Sequence, residues 1–168
     1  MGLGKIGTQV ARVGQAFGME VSAWSQNLTP ERAALHNVTY VSKEQLLAES
    51  DIVSIHLVLS ERTRNLIDSQ ELALLKSTAY LINTSRAPIV NQQALIKTLA
   101  EGKIAGAGLD VFDVEPLPQD HPYRTLPNVL ATPHIGYVTD AAYRVFFQEI
   151  VEDIEAYISG KLVRVLNE

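Results

Sequence analysis

The chain has 168 residues, a formal net charge of −5, 46% apolar residues and no cysteine. That length suits one domain with a buried core, and acidic residues scattered without a like-charge block weigh against a nucleic-acid partner. Without cysteine there is neither a disulfide frame nor a thiolate metal site; with no basic-then-apolar leader and no apolar run near the ~20 residues that span a bilayer, a cytoplasmic protein without a membrane partner is expected.

Apolar Ile6, Val10, Val13 and Phe17 recur at helical spacing from Lys5 and are followed by Gly18, which predicts an amphipathic helix of about three turns. "EVSAW" then reads as a short strand, and "TPERAAL" as a helix with Thr29 as cap and Pro30 at its first position. "VTYV" is a second strand. Ser42 and Gln45 have the spacing of a capping box, and "DIVSIHLVL" is a β-branched run suited to a strand covered on both faces. Further on come a helix near 70–75, the strand "AYLINT", and a helix over 92–101 capped by Asn91 and stopped by Gly102. The strand "IAGAGLDVF", a proline-rich loop, the strand "NVLAT" and a helix over about 140–158 ending at Gly160 complete the series. Strands alternating with helices predict a doubly wound α/β fold, a parallel sheet with helices on both faces.

The chain opens "MGLGKIG", in which Gly2, Gly4 and Gly7 match G-x-G-x-x-G. In that pattern the first glycine permits a tight turn, the second lets backbone approach a pyrophosphate, and the third lets helix pack on strand. With Lys5 and Ile6 these glycines are the expected phosphate cradle of a dinucleotide cofactor. The acidic residue that holds the ribose hydroxyls about 20 positions on is replaced by Ser25. A serine there removes the repulsion that excludes a 2′-phosphate, and Ser25, Asn27, Thr29 and Arg32 offer donors to one; alternatively the adenosine ribose is held loosely. The cofactor is therefore written NAD or NADP.

The fingerprint normally follows a strand, and none precedes it. If the sheet order is 3-2-1-4-5-6, the missing first strand is the central one, between "EVSAW" and "DIVSIHLVL". Residues 1–138 then read as a dinucleotide-binding domain incomplete at its N-terminus, with Met1 at or just after the end of the missing strand. Residues 1–168 expressed alone are expected to be poorly ordered and inactive.

Three strand ends carry polar groups toward the edge where parallel sheets bind ligands: Arg86 after "AYLINT", Asp110 and then Glu115 after "IAGAGLDVF", and His134 after "NVLAT". His56 reads as a structural strand-end histidine, His36 and His121 as loop residues, and no histidine spacing suggests a metal site. Ala105, Gly106, Ala107 and Gly108 read either as close packing beside a nicotinamide or as a tightly packed central strand.

The segments "GLGKIG", "INTSRAPIVNQQAL", "GAGLDVFDVEPLP" and "NVLATPHIG" resemble the D-2-hydroxyacid dehydrogenases, a family that includes phosphoglycerate dehydrogenase and glyoxylate/hydroxypyruvate reductases. The resemblance implies a catalytic set of Arg86, Glu115 and His134, Asp110 toward the nicotinamide carboxamide, Thr84 beside the cofactor, and a 2-hydroxy or 2-oxo acid as substrate. It also implies a homodimer and a missing N-terminal segment that forms most of the substrate domain, toward which residues 139–168, a helix and tail, would pack. Ala87 stands where the family has Gly, and Asn91 and Gln92 stand where it has an acidic pair. The intact Arg, Glu and His set favours an enzyme over two rivals, a dinucleotide-sensing corepressor-like protein and an inactive fragment; Glu115 argues against formate dehydrogenase, which pairs its histidine with glutamine.

Overall fold

The computed structural model describes residues 1–166. The chain divides into two compact units, Met1–His134 and the segment from Ile135 onward. The first contains α1 (Lys5–Ala16), β1 (Ser22–Ala23), α2 (Pro30–Ala34), β2 (Thr39–Tyr40), α3 (Lys43–Glu49), β3 (Ile52–Ile55), α4 (Ser69–Leu72), β4 (Tyr80–Asn83), α5 (Gln92–Ala100), β5 (Gly106–Leu109) and β6 (Val129–Ala131). Every strand pairing is parallel, in two groups: β1 with β2, and β3-β4-β5-β6 in that order. The expected α/β architecture is present.

Two residues at the chain start tie the groups together. Met1 donates its amine to Ser54 O at 2.7 Å and accepts from His56 N, while Gly2 N donates to Trp24 O at 2.8 Å. This is parallel-strand pairing. Below it lies a cavity of about 680 Å³ between β1 and β3, lined by Val21, Ser22 and Ala23 on one side and Ile52, Val53 and Ser54 on the other. The register of β1 against β2 turns both backbone groups of Ser22 toward this slot, and that of β3 against β4 does the same for Ile52. β1 and β3 thus face each other across the slot.

At this slot α1 departs from expectation. The stripe expected to be buried is exposed: Ile6 68%, Val10 42%, Val13 56% and Phe17 78%. Only Gly7 and Ala11 of this helix are buried, and Val10, Ala11 and Gly14 line the slot where sheet would otherwise meet the helix.

Elsewhere burial follows the strand period of two. Val53 and Ile55 of β3 and Leu81 of β4 point into a core completed by Leu47, Leu95 and Ile104. The run "DIVSIHLVL" is strand over Ile52–Ile55 only; past it His56 N still bonds to Met1 O, and Leu57 O accepts the Ser85 hydroxyl. "IAGAGLDVF" shortens to Gly106–Leu109, and "EVSAW" to Ser22–Ala23. Ser42 caps α3 through Gln45 N, but the reciprocal capping box belongs to Asp68 and Glu71 at α4. The small residues of β5 answer to packing: a Cβ on Gly106 would sit 2.7 Å from Asn128 O and 3.1 Å from the Tyr80 ring.

The second unit contains α6 (Asp140–Ile158), capped by the Thr139 hydroxyl, which accepts from Ala142 N. Past the turn at Gly160, Arg164 folds back onto Glu149, Glu152 and Asp153. Among the described residues no helix is long and apolar enough to cross a membrane.

Candidate active site

The polar residues singled out in the sequence all follow the carboxyl ends of strands. Arg86 comes three residues after β4, Asp110 directly after β5, and His134 three residues after β6. These strands are neighbours in the order β4-β5-β6, so consecutive crossovers deliver the groups to one edge of the sheet.

At the end of β4, Asn83 is 2% exposed and shapes the turn. Its Oδ1 accepts from Ser85 N at 3.0 Å and its Nδ2 donates to Arg86 O at 3.1 Å. The Arg86 guanidinium is exposed and donates through Nη1 to Ser85 O. Ala87 opens a 3-10 turn over Ala87–Ile89 without a positive φ, so a side chain there carries no backbone strain. Asn91, at the other departure from the family pattern, caps α5 by accepting from Ala94 N at 3.1 Å, a task Asn and Asp perform about equally.

At the end of β5, Asp110 is 5% exposed, and Thr132 Oγ1 donates to its Oδ1. Glu115 returns to the same loop: its Oε1 accepts from Phe112 N at 2.9 Å, and its Oε2 lies 2.7 Å from His134 Nδ1. The hydrogen bond from His134 is the main influence holding the Glu115 carboxyl below the usual carboxylate range, helped by the Phe112 amide and opposed by burial and by the Asp110 charge. An ionised carboxylate only accepts, so Nδ1 is the donor of this pair. His134 itself has φ 55°, and its N–H bonds back to Thr132 O.

The structure therefore brings Glu115 and His134 together and places Asp110 beside them, while Arg86 stands on the adjacent loop bonded within its own turn. Asn83 and Thr132 were missed in the sequence; a polar residue closing an apolar strand, as in "LIN", is the signal for the first. His56 is structural, its Nε2 2.9 Å from Ser54 Oγ, and His121 caps a 3-10 turn by accepting from Tyr123 N.

The three fingerprint glycines have separate reasons. Gly2 has φ +88°, and a Cβ on it would lie 2.6 Å from His56 O; a Cβ on Gly7 would lie 2.0 Å from Gly2 O. Gly4 has nothing within 4 Å of its would-be Cβ, so packing gives it no reason to be glycine. Gly4 is the N-cap of α1 and offers no side chain to the first turn, where Lys5, Ile6 and Gly7 present amides without intrahelical acceptors. This cradle fits a pyrophosphate. Ser25, two residues past β1, is half-buried, and Thr84 is exposed at the end of β4. Arg32 is exposed and donates to Asn27 O at 3.3 Å.

The family model for the D-isomer specific 2-hydroxyacid dehydrogenase NAD binding domain matches residues 1–136. A glyoxylate reductase from Aeropyrum pernix is 43% identical over 162 residues, covering 96% of this chain and 48% of that protein. A putative D-3-phosphoglycerate dehydrogenase oxidoreductase from Ralstonia solanacearum superposes with a TM-score of 0.92 at 38% identity, over 99% of this chain and 49% of the other. The NAD-complexed D-isomer specific 2-hydroxyacid dehydrogenase of Lactobacillus delbrueckii ssp. bulgaricus gives 0.79 at 35% identity, over 97% and 53%. The chain spans about half the length of the curated relatives it matches. With the G-x-G-x-x-G glycines at the start of α1 and a carboxylate paired with a histidine beyond β5 and β6, the chain belongs to the D-isomer specific 2-hydroxyacid dehydrogenase family and carries its NAD-binding domain.

Proposed function

We propose that the protein moves a hydride between NAD or NADP and a small 2-hydroxy or 2-oxo acid, with His134 as acid/base, Glu115 as its partner and Arg86 as substrate anchor. The observation that supports this most is the Glu115–His134 pair at 2.7 Å, at the sheet edge that carries the dinucleotide cradle. The cofactor, when bound, supplies or accepts the hydride.

The other steps fall to side chains. In the oxidation direction His134 Nε2 takes the hydroxyl proton, and Glu115 faces the imidazolium that results. In reduction, protonated His134 returns that proton to the carbonyl oxygen. Arg86 keeps N–H groups beyond the one on Ser85 O, and its planar fork suits the substrate carboxylate, which orients C2. In the full-length protein, His134→Ala and Arg86→Ala are each expected to lower turnover about 10²–10⁴-fold while NADH affinity stays close to that of the parent. Steady-state kinetics beside a cofactor titration decide it. Near-normal turnover in His134→Ala refutes the mechanism.

Ser25 and Arg32 support acceptance of NADPH at least comparably with NADH. The slot between β1 and β3 supports a further strand there, completing one sheet within the dinucleotide-binding domain of residues 1–138. In the same reading the working unit is a cytoplasmic homodimer, as the family resemblance suggests.

A further inference from the structure

Thr132 stands where the two halves of this site meet. Its backbone N–H donates to Leu109 O at 2.9 Å, carrying the β5–β6 ladder one residue past β6. Its carbonyl accepts from His134 N at 2.9 Å, closing the tight turn over Pro133 that sets His134 at φ 55°. Its hydroxyl donates to Asp110 Oδ1. Asp110 is 5% exposed, and its charge reaches Glu115, whose carboxyl it pushes upward.

A buried carboxylate needs donors, and an aliphatic group at this distance supplies none. The hydroxyl of Thr132 therefore does something its methyl does not: it donates to the Asp110 carboxylate. Its backbone fixes the histidine at the same time.

We propose that Thr132 is a positioning residue that sets the cofactor-facing carboxylate of Asp110 in register with the acid/base His134. The proposal rests on the reading of the site given under Proposed function, together with the nicotinamide contact that the family resemblance implies for Asp110. The two functions separate by atom: the side chain serves Asp110, and the backbone serves His134. Removing the hydroxyl should disturb the cofactor side and leave the proton-transferring side in place.

The test compares Thr132→Val and Thr132→Ser in the full-length protein. NADH affinity is read by fluorescence titration without substrate, and the pH profile of kcat is read separately. Thr132→Val is expected to weaken NADH binding about tenfold, the scale of losing one hydrogen bond to a charged group. The pH at which its kcat titrates should match the parent, and Thr132→Ser should restore affinity to within about twofold of the parent, because it keeps the donor. Unchanged NADH affinity in Thr132→Val overturns the proposal, as does equal weakening in both variants, which would mean that the methyl packing matters and the hydroxyl does not. A parent that binds no NADH overturns the underlying functional reading together with the proposal; a parent that binds NADH and turns over, beside an unaffected Thr132→Val, overturns the proposal alone.

Discussion

Replacing Gly4 and Gly7 separately by alanine should divide the fingerprint into a binding residue and a folding residue. A methyl at Gly7 would begin 2.0 Å from Gly2 O and 3.0 Å from Gly2 C, and must retreat by about 1.4 Å to reach the 3.4 Å of ordinary contact. Both groups are backbone, so the retreat moves the start of α1 away from the Gly2 turn that Trp24 O and His56 N pin in place. Overpacking of this kind costs about 1–3 kcal/mol, and a clash with main chain belongs at the upper end. A methyl at Gly4 meets nothing within 4 Å. Alanine is a poorer N-cap than glycine by roughly 1 kcal/mol, but it narrows the unfolded ensemble by about 0.4–1 kcal/mol, and the two effects nearly cancel. Gly4→Ala should therefore fold within about 1 kcal/mol of the parent and bind NADH at least about tenfold more weakly, since its methyl enters the space that the pyrophosphate needs. Urea denaturation and NADH titration of both variants in the full-length protein make the comparison. A Gly4→Ala protein that binds NADH like the parent, or that loses as much stability as Gly7→Ala, refutes the reasoning.

Ser25→Asp should restore a repulsive carboxylate and shift kcat/KM toward NADH over NADPH; a parent that already strongly prefers NADH would show the serine to be irrelevant. Residues 1–168 expressed alone should lack a cooperative thermal transition and regain one when co-expressed with an extended apolar β-branched segment. A cooperative melt with saturable NADH binding from this chain alone would sink that expectation. Glu115 has a carboxyl pKa held below its ordinary 4.5 in the folded state, so its stabilising contribution is complete above the unfolded value and disappears as pH falls through the lowered one. Glu115→Gln should accordingly flatten the loss of stability below about pH 5, and denaturation midpoints at a series of pH values would reveal an unchanged slope if the carboxylate plays no part.

The alternation of strands and helices was readable from "EVSAW" to "NVLAT" because each run has the period and the punctuation of its element. The strand ends were not. "DIVSIHLVL" runs on through Leu57, Val58 and Leu59, and nothing in that run foretells that Leu57 O goes to the Ser85 hydroxyl. Periodicity likewise placed Ile6, Val10, Val13 and Phe17 on one face of α1, but it could not supply the sheet that such a face covers. Glu115 and His134 stood out as candidates because each follows a strand in polar surroundings, and the family resemblance supplied the roles expected of them. Their bond was not legible, since it depends on a loop that brings residues 19 positions apart to 2.7 Å. Asn83 and Thr132 escaped notice because their work is holding other residues, and a small polar side chain at a strand end looks the same whether or not it holds anything.

The double tether on Glu115 limits how far the loop can give. One carboxylate oxygen accepts from the Phe112 amide and the other from the imidazole, so the side chain cannot swing away from His134 without also releasing the backbone just after β5. The stretch over 112–115 and the turn at His134 are thus fastened to one another through a single side chain, and a displacement of either is passed to the other.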